Sequence, residues 1–180
     1  MNTNKIWMTD EEYGLVTKKV PIHCIDLVIL RNNCGVLETL LLIRKTGYEK
    51  GKYCIIGGRQ WKDETARETI ERQAKELGVE VSIISPFTYD FPTWVNSRLD
   101  QDQTKQPVCS VYPVKITNGT VLKEGKEYLN YEWFQIDKLP STMAYDHKFE
   151  VEAAVKQLEK FHCSDLKLSR IKNPRHAKLA

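Results

Sequence analysis

The stretch Gly57-Gly58-Arg59-Gln60-Trp61-Lys62-Asp63-Glu64-Thr65 decides the fold, because it joins a strand-like run to a helix-like run through two glycines. The glycine pair predicts a tight turn. Thr65 and Glu68 have the spacing of a capping box, in which each side chain accepts a backbone N–H at a helix start. The segment therefore predicts a strand, a glycine turn and a helix that begins near Ala66.

This helix is predicted to have one apolar face with a charged border. At about 100° per residue, the apolar face collects Ala66, Ile70, Ala74 and Leu77. The border carries Glu68, Arg72 and Glu76, and the residues predicted to point to water are Glu64, Glu71 and Lys75. Carboxylates at the edge of a buried face, beside glycine carbonyls that point inward, offer the oxygen ligands that a hard divalent cation prefers. The segment therefore predicts a platform for a metal ion and a diphosphate.

The remaining chain alternates strand-like and helix-like patterns. Strand-like runs occupy residues 22–31, 39–44, 53–56, 79–85, 109–117 and 131–135. A late helix is predicted from the helical spacing of Val151, Ala154, Val155, Leu158 and Phe161. A short opening helix near residues 10–16 would cover either the site or a partner subunit, which leaves a homodimer open. Together these elements predict an α/β protein with an α/β/α sandwich around a mixed sheet.

Composition favours one soluble domain. The chain has 180 residues, 41% hydrophobic and 28% charged, which is long enough to bury a sizeable core. Residues 1–10 are polar and the apolar runs around Leu27 and Leu41 are strand-length, so neither a signal peptide nor a membrane span is expected. The 5 cysteines are odd in number and lack Cys-x-x-Cys spacing. A reducing cytoplasm is therefore expected rather than a disulfide framework.

Basic residues gather at the end of the chain. Lysines and arginines in residues 161–180 outweigh the single Asp165, so the formal net charge of +3 belongs to this segment. It lacks apolar periodicity and contains Asn173-Pro174, so it is predicted to be a flexible tail after a single domain of residues 1–160. Clustered basic side chains can bind nucleic-acid phosphates. No aromatic platform accompanies them, so a solvated tail is favoured over a nucleic-acid contact.

The central segment resembles the Nudix box of the nucleoside-diphosphate-X hydrolases. Gly58, five residues, Glu64, seven residues, Arg72, then Glu76 and Gly78 follow the spacing of that box, and the resemblance covers most of residues 20–160. Within that superfamily, the string Gly-Gly-Arg-x-x-Lys-Asp-Glu-Thr, then Glu-Arg and Glu-Leu-Gly, is most similar to the GDP-mannose mannosyl hydrolases. The resemblance implies a Nudix-type sandwich.

The back half of the box departs from the family pattern. An ordinary box has a Glu directly after the Arg and two adjacent Glu three residues later, whereas this chain has Gln73 and then only Glu76. The interval from Arg72 to Gly78 is also one residue shorter. Nudix enzymes that cleave a phosphorus–oxygen bond use several carboxylates, while the mannosyl hydrolases keep fewer and attack the sugar carbon. The resemblance thus implies Mg²⁺ or Mn²⁺ that stabilises a departing nucleoside diphosphate.

Site residues follow from the same resemblance. The implied metal ligands are Gly57, Gly58, Glu76 and Glu127, the last of which aligns with a metal-binding glutamine of the family. Asp26 and Arg44 align with family residues that meet the substrate and are predicted to be catalytic. The predicted substrate-binding residues are Arg59, whose guanidinium would grip the diphosphate, Arg72, and Trp94 at the start of a long unpatterned loop. A buried Asp26 would also need a polar partner.

The general base is the remaining question. Tyr128 aligns with the histidine that serves the mannosyl hydrolases as base, and a tyrosine with its ordinary pKa near 10 is a poor base at neutral pH. Glu127 or Glu124 is therefore an alternative base, although this charged run also fits a solvated hairpin. The sequence predicts a metal-dependent hydrolase of a nucleoside diphosphate linked to a sugar or similar group. The alternatives are a pyrophosphatase that cleaves at phosphorus and an inactive Nudix domain that binds a nucleotide or a partner.

Overall fold

A mixed β-sheet with helices on both faces forms the part of the chain that the computed structural model describes, namely residues 8–47, 49–85, 89–92, 106–145 and 147–160. The strands are β1 (Ile22–Asn33), β2 (Val36–Arg44), β3 (Tyr53–Cys54), β4 (Ile56–Arg59), β5 (Val79–Ile83), β6 (Tyr89–Pro92), β7 (Pro107–Gly119) and β8 (Tyr128–Gln135). The helices are α1 (Asp10–Thr17), α2 (Ala66–Glu76) and α3 (His147–Lys160), with a 3-10 turn at Ile136–Lys138. The predicted α/β architecture is confirmed. Trp94, Phe161 and the predicted tail lie outside the described residues.

Strand β1 is the centre of the sheet. It pairs antiparallel with β2 and β4, and parallel with β7. Strand β2 also pairs antiparallel with β3 and β8, and β7 pairs antiparallel with β5 and β6. The parallel pair β1–β7 makes the sheet mixed, as the sequence predicted.

Two apolar cores flank β1, because successive side chains of a strand point to opposite faces. On one face, Ile25 and Leu27 pack with Ile70 and Ala74 of α2 and with Leu77, which directly follows α2. On the other face, Val28 and Leu30 pack with buried apolar residues of α3, which include Val151, Ala154, Val155 and Leu158. The nearly continuous apolar run of β1 is what a strand covered on both faces requires.

Two of the described helices begin with a capping box. In α2, Thr65 N–H donates to the Glu68 carboxylate at 2.7 Å and Glu68 N–H donates to Thr65 Oγ1 at 3.2 Å. The predicted start at Ala66 is confirmed. Helix α1 has an equivalent box between Thr9 and Glu12 but contains no fully buried residue. Among the described helices, none has the length and apolar composition that crossing a membrane requires.

The glycine pair after Ile56 is not a turn. Gly57 and Gly58 belong to β4, where Gly57 lies opposite Asp26 of β1, and neither glycine has a positive φ. A Cβ at Gly57 would lie 1.6 Å from Asp26 Oδ1. The glycine is therefore required by the close approach of a carboxylate. The predicted turn was wrong because glycine is equally common where the backbone needs positive φ and where another group needs the space.

We expect Gly57→Ala to destabilise the protein by about 1–3 kcal/mol, because the new methyl group must displace the Asp26 carboxylate. Gly58→Ala is the matched control, since its Cβ would meet Gln73 Nε2 at an ordinary 3.7 Å. Urea denaturation measures both. Replacing Asp26 by Ala in the Gly57→Ala background should recover part of the loss, and a Gly57→Ala variant as stable as Gly58→Ala would contradict the steric explanation.

Candidate active site

A cavity at the junction of four segments gathers several of the predicted site residues. Its walls come from the end of β2, the β3–β4 segment, the last residue of α2 and the start of β8. The lining residues are Leu42, Arg44, Cys54, Ile55, Ile56, Gly57, Glu76, Lys126, Glu127 and Tyr128. Residues far apart in sequence therefore meet at the point where the family resemblance places metal and substrate.

Glu76 and Glu127 bring two carboxylates to this cavity. The pKa of Glu76 is raised, mainly because the side chain is partly buried. The nearby Glu127 charge raises this pKa further, whereas the charges of Arg72 and Lys126 lower it. Neighbouring like charges favour either a proton or a bound cation. Two carboxylates beside the Gly57 backbone form a set of oxygen donors that suits Mg²⁺ or Mn²⁺. The residues present therefore fit the implied cation.

The Glu64–Arg72 ion pair ties the loop after β4 to α2. Arg72 Nε and Nη2 donate to the two Glu64 oxygens at 2.9 and 3.0 Å, and Nη2 also donates to the Arg59 carbonyl at 2.8 Å. The Arg72 guanidinium lies over the Trp61 ring, 4.2 Å from its centroid. The Glu64 side chain is only 4% exposed, so the prediction that it points to water was wrong. Glu64 precedes the helix, so helical periodicity could not place it.

Four hydrogen bonds keep the buried Glu64 ionised. Burial alone would raise the pKa of Glu64, but hydrogen bonds from Arg72, the Trp61 N–H and the Thr69 hydroxyl lower it from 4.5 to about 2. The structure thus gives Arg72 a role in holding the loop. Its contact with substrate stays a prediction.

Glu64→Gln should cost about 3 kcal/mol of stability at neutral pH, because it leaves Arg72 without its buried counter-ion. Since the pKa of Glu64 falls from 4.5 to about 2 on folding, the stabilisation by the ionised group is present above pH 4.5 and is lost as pH falls through 2. The difference in unfolding free energy between wild type and Glu64→Gln should therefore shrink between pH 5 and pH 2. Urea denaturation across this range checks it.

The matched control for this prediction is Glu71→Gln, which removes an exposed carboxylate from α2. It should change the unfolding free energy by less than about 0.5 kcal/mol at every pH. A Glu64→Gln deficit that is independent of pH would contradict the electrostatic explanation.

Arg44 lies at the rim of the cavity. Its guanidinium is 5.1 Å from the Tyr145 ring centroid, and Nη2 donates to the Thr46 carbonyl at 3.4 Å. The positive charge opposes the rise that burial causes in the pKa of Cys54. Arg44 thus lines the cavity, and its contact with a substrate stays a prediction.

Asp26 lies beneath Gly57 on the α3 face of the sheet. It is 4% exposed, and His147 and Glu150 of α3 offer ligand atoms that all lie within 4.8 Å of one another and of Asp26. Burial raises the pKa of Asp26 to about 6, although a Cys109 hydrogen bond and the His23 charge lower it. The expectation that a buried Asp26 needs polar partners is confirmed.

The hydrogen-bonding of His147 indicates that its ring serves as a polar partner in this buried group. Ile55 N–H donates to His147 Nδ1 at 3.3 Å. Burial, and then the Arg44 charge, lower the pKa of His147 to about 3, so the ring is neutral. A neutral ring whose Nδ1 accepts carries its hydrogen on Nε2 and has no remaining lone pair for a cation. Asp26, His147 and Glu150 therefore form a buried polar cluster beneath Gly57.

We expect Asp26→Asn to become more stable relative to wild type as pH rises. Because folding raises the pKa of Asp26 from 3.8 to about 6, wild-type stability is highest below 3.8 and declines as pH rises through 6. The shift corresponds to on the order of 3 kcal/mol between the two limits. Denaturation at pH 5 and pH 8 measures the change, with the exposed Asp63→Asn as control. A constant difference between Asp26→Asn and wild type would contradict the burial of an ionisable carboxyl.

Arg59 lies under the opening helix. Its guanidinium is 3.7 Å from the centroid of the Tyr13 ring of α1. Arg59 is not among the described residues that line the cavity. Helix α1 therefore covers a residue that was predicted to bind the diphosphate, and the Arg59 side chain would have to reach the ligand past Tyr13.

Tyr128 lines the cavity but is poorly suited to act as a base. It is 4% exposed, and its hydroxyl donates to the Leu122 carbonyl at 3.2 Å. Burial, with Tyr131 and Glu76, raises the pKa of Tyr128, so the phenol stays protonated at neutral pH. Of the alternative bases, Glu124 forms an ion pair with Lys45, whereas Glu127 lines the cavity.

Sequence reasoning missed two residues. Gln73 is 2% exposed, and its Nε2 donates to the Ile25 carbonyl at 2.9 Å and the Gly58 carbonyl at 3.1 Å. Its place three residues after Ile70 and four before Leu77 put it on the buried face, which was the available signal. His147 carries no comparable signal, because only the packing of α3 brings it to Asp26.

Solved structures share this architecture. The chain is similar to a MutT/nudix family protein from Enterococcus faecalis, with 18% identity, 79% of this chain and 63% of that chain covered, and a TM-score of 0.61. It is also similar to the NUDIX domain of Shewanella oneidensis NrtR in complex with ADP-ribose, with 20% identity and a TM-score of 0.58. This match covers 84% of this chain and 99% of that domain. The chain has the Nudix fold. The structure of a UDP-X diphosphatase is also similar, with 20% identity and a TM-score of 0.57. This match covers 86% of this chain and 73% of that chain.

Sequence comparison gives a narrower match. No protein-family model matches the chain. A segment of 77 residues is 38% identical to the low-salt glycan biosynthesis protein Agl8 of Haloferax volcanii. The segment covers 42% of this chain and 47% of that protein. The match thus spans about half the length of that relative. The Nudix resemblance of the box is confirmed by the fold.

Proposed function

We propose that this protein is a divalent-metal-dependent hydrolase of a nucleoside diphosphate linked to a sugar or similar group. The observation that carries the proposal is the cavity of the Nudix fold, where Glu76, Glu127 and Gly57 lie with Arg44. Oxygen donors for a hard cation beside a guanidinium suit a diphosphate that carries Mg²⁺ or Mn²⁺.

Each side chain has a distinct part in this proposal. A cation held by Glu76, Glu127 and the Gly57 carbonyl would stabilise the diphosphate as a leaving group. Arg44 would donate to a phosphate oxygen from the rim. Arg59 would keep one guanidinium face on the Tyr13 ring and offer its N–H edge to the diphosphate, since stacking uses the face and phosphate binding uses the edge.

The names of the similar proteins agree with this substrate class. One solved structure is of a NUDIX domain with ADP-ribose and another is of a UDP-X diphosphatase. The Haloferax protein that contains the matching segment is named for glycan biosynthesis. ADP-ribose is a nucleoside diphosphate bonded to a sugar, UDP-X is a nucleoside diphosphate bonded to an unspecified group, and glycans are built from sugars, so these names support the proposed substrate class.

Cleavage at phosphorus is the second candidate function. The Tyr128 hydroxyl donates to the Leu122 carbonyl, so the position of the mannosyl-hydrolase base holds a group that is itself engaged as a donor. Glu127 lines the cavity beside Glu76 and would serve as base in a pyrophosphatase. This arrangement supports a reaction in which Glu127 activates water for attack on a phosphate.

Hydrolysis in water labelled with heavy oxygen distinguishes the two reactions. The purified protein is incubated with Mg²⁺ and a panel of nucleoside diphosphate sugars, and the products are analysed by mass spectrometry. We expect the label on the released sugar, because the front half of the box resembles the mannosyl hydrolases. Label on a phosphate would select the pyrophosphatase. Binding without turnover, detected as a rise in melting temperature, would select the inactive nucleotide-binding domain.

Glu76→Gln should lower metal-dependent turnover by about a hundredfold or more, because an amide is a weaker ligand for a hard cation than a carboxylate. Its melting temperature should stay close to that of wild type, since the Glu76 side chain is 56% exposed. Steady-state kinetics across a Mg²⁺ titration measure the effect, with Glu71→Gln as the matched control. Unchanged Mg²⁺-dependent turnover in Glu76→Gln would contradict the assigned ligand.

A further inference from the structure

We propose that Gln73 is a positioning residue whose side-chain amide ties β1 to β4 and so fixes the Gly57 edge of the cavity, a task that a glutamate cannot perform. The catalytic consequence rests on the proposed function, whereas the tie between the strands does not. Gln73 occupies the place directly after Arg72, where an ordinary Nudix box has a glutamate.

The contacts of Gln73 join both strands through one nitrogen. Nε2 donates to the Ile25 carbonyl of β1 at 2.9 Å and to the Gly58 carbonyl of β4 at 3.1 Å. Ile25 and Gly58 are opposite each other in the antiparallel ladder. An amide nitrogen has two hydrogens, so one buried group satisfies both carbonyls and holds the strands in register.

The next residue pair in this ladder includes Gly57, which lines the cavity. Asp26 lies opposite Gly57, and its carboxylate occupies the space where a side chain at Gly57 would be. Gly57 is thus held from the α3 face by Asp26, while its neighbour Gly58 is held from the α2 face by Gln73. Because Gln73 and Glu76 lie three residues apart on α2, the tie also sets where Glu76 stands relative to Gly57.

Only an amide serves at this position. An ionised glutamate has no hydrogen to donate, so it would place a buried negative charge against two carbonyl oxygens, at a high desolvation cost. The donor contact also engages the Gly58 carbonyl with α2, which leaves Gly57 as the glycine that lines the cavity. The carboxylates of the site then come from Glu76 and from Glu127 on another element.

The test compares Gln73→Met, which keeps length and loses the donor, with Gln73→Glu, which restores the usual box residue. Lys75→Met on the exposed side of α2 is the matched control. Backbone hydrogen exchange of β1 and β4 reports the tie, and Mn²⁺ calorimetry with kcat and KM reports the site. We expect faster exchange in both Gln73 variants, Mn²⁺ affinity about tenfold weaker and kcat at least about tenfold lower, with the control unchanged.

Three results would overturn the proposal. The first is a Gln73→Met variant with a lower melting temperature but wild-type Mn²⁺ affinity and kcat, which would make the role merely structural. The second is tighter Mn²⁺ binding by Gln73→Glu. The third is unchanged exchange in Gln73→Met. If wild type neither binds Mn²⁺ nor hydrolyses a nucleotide sugar, the proposed function fails, and hydrogen exchange alone then decides for or against the tie. If Gln73→Met does not fold, Gln73→Asn, which is one methylene too short to reach both carbonyls, replaces it.

Discussion

The buried ion pair between Glu64 and Arg72 is the interaction on which the rest of the site depends. A two-pronged contact in a protected place fixes the loop between β4 and α2, because both carboxylate oxygens and two guanidinium nitrogens must keep their geometry at once. Arg72 also holds the Arg59 carbonyl at the end of β4. Arg72 thereby connects β4, which contains Gly57, to α2, which contains Glu76. The two elements that line the cavity are held in a fixed arrangement by these bonds.

Polar contacts approach the Gly57 strand from both faces of a sheet that is otherwise packed with apolar side chains. Asp26 reaches it from the α3 face, in company with His147 and Glu150, and Gln73 reaches it from the α2 face. Buried polar groups are costly unless they are hydrogen-bonded, so their concentration around one short strand is the feature on which the proposed site rests. The apolar cores on either side then act as the support.

Much of the fold could be predicted from patterns between residues close in sequence, whereas the rest depends on contacts between distant residues. The capping box, the apolar face of α2 and most strand runs depend on neighbours in sequence and are present. The predicted run 53–56 is divided between β3 and β4, and β6 was not predicted. The Gly57 strand and the Asp26 cluster depend on which strand lies opposite which, so residues such as His147 acquired their place only through packing. Gln73 lies between these limits: its burial follows from helical spacing, but its acceptors belong to two other elements.

The two carboxylates of the cavity come from different elements, and this shapes how a cation would act. Glu76 ends α2 and Glu127 precedes β8, and their proximity contributes to the raised pKa of Glu76. In the unfolded chain these side chains are far apart, so the donor set exists only in the folded state, and a cation bound there stabilises that state by mass action. Under the proposed function, a box without the adjacent glutamates would gain a second carboxylate from Glu127, in the segment before β8, and the proposal for Gln73 gives the position after Arg72 a role in holding the backbone. In that proposal the two carboxylates of the site come from two elements, because α2 places only Glu76 at the cavity.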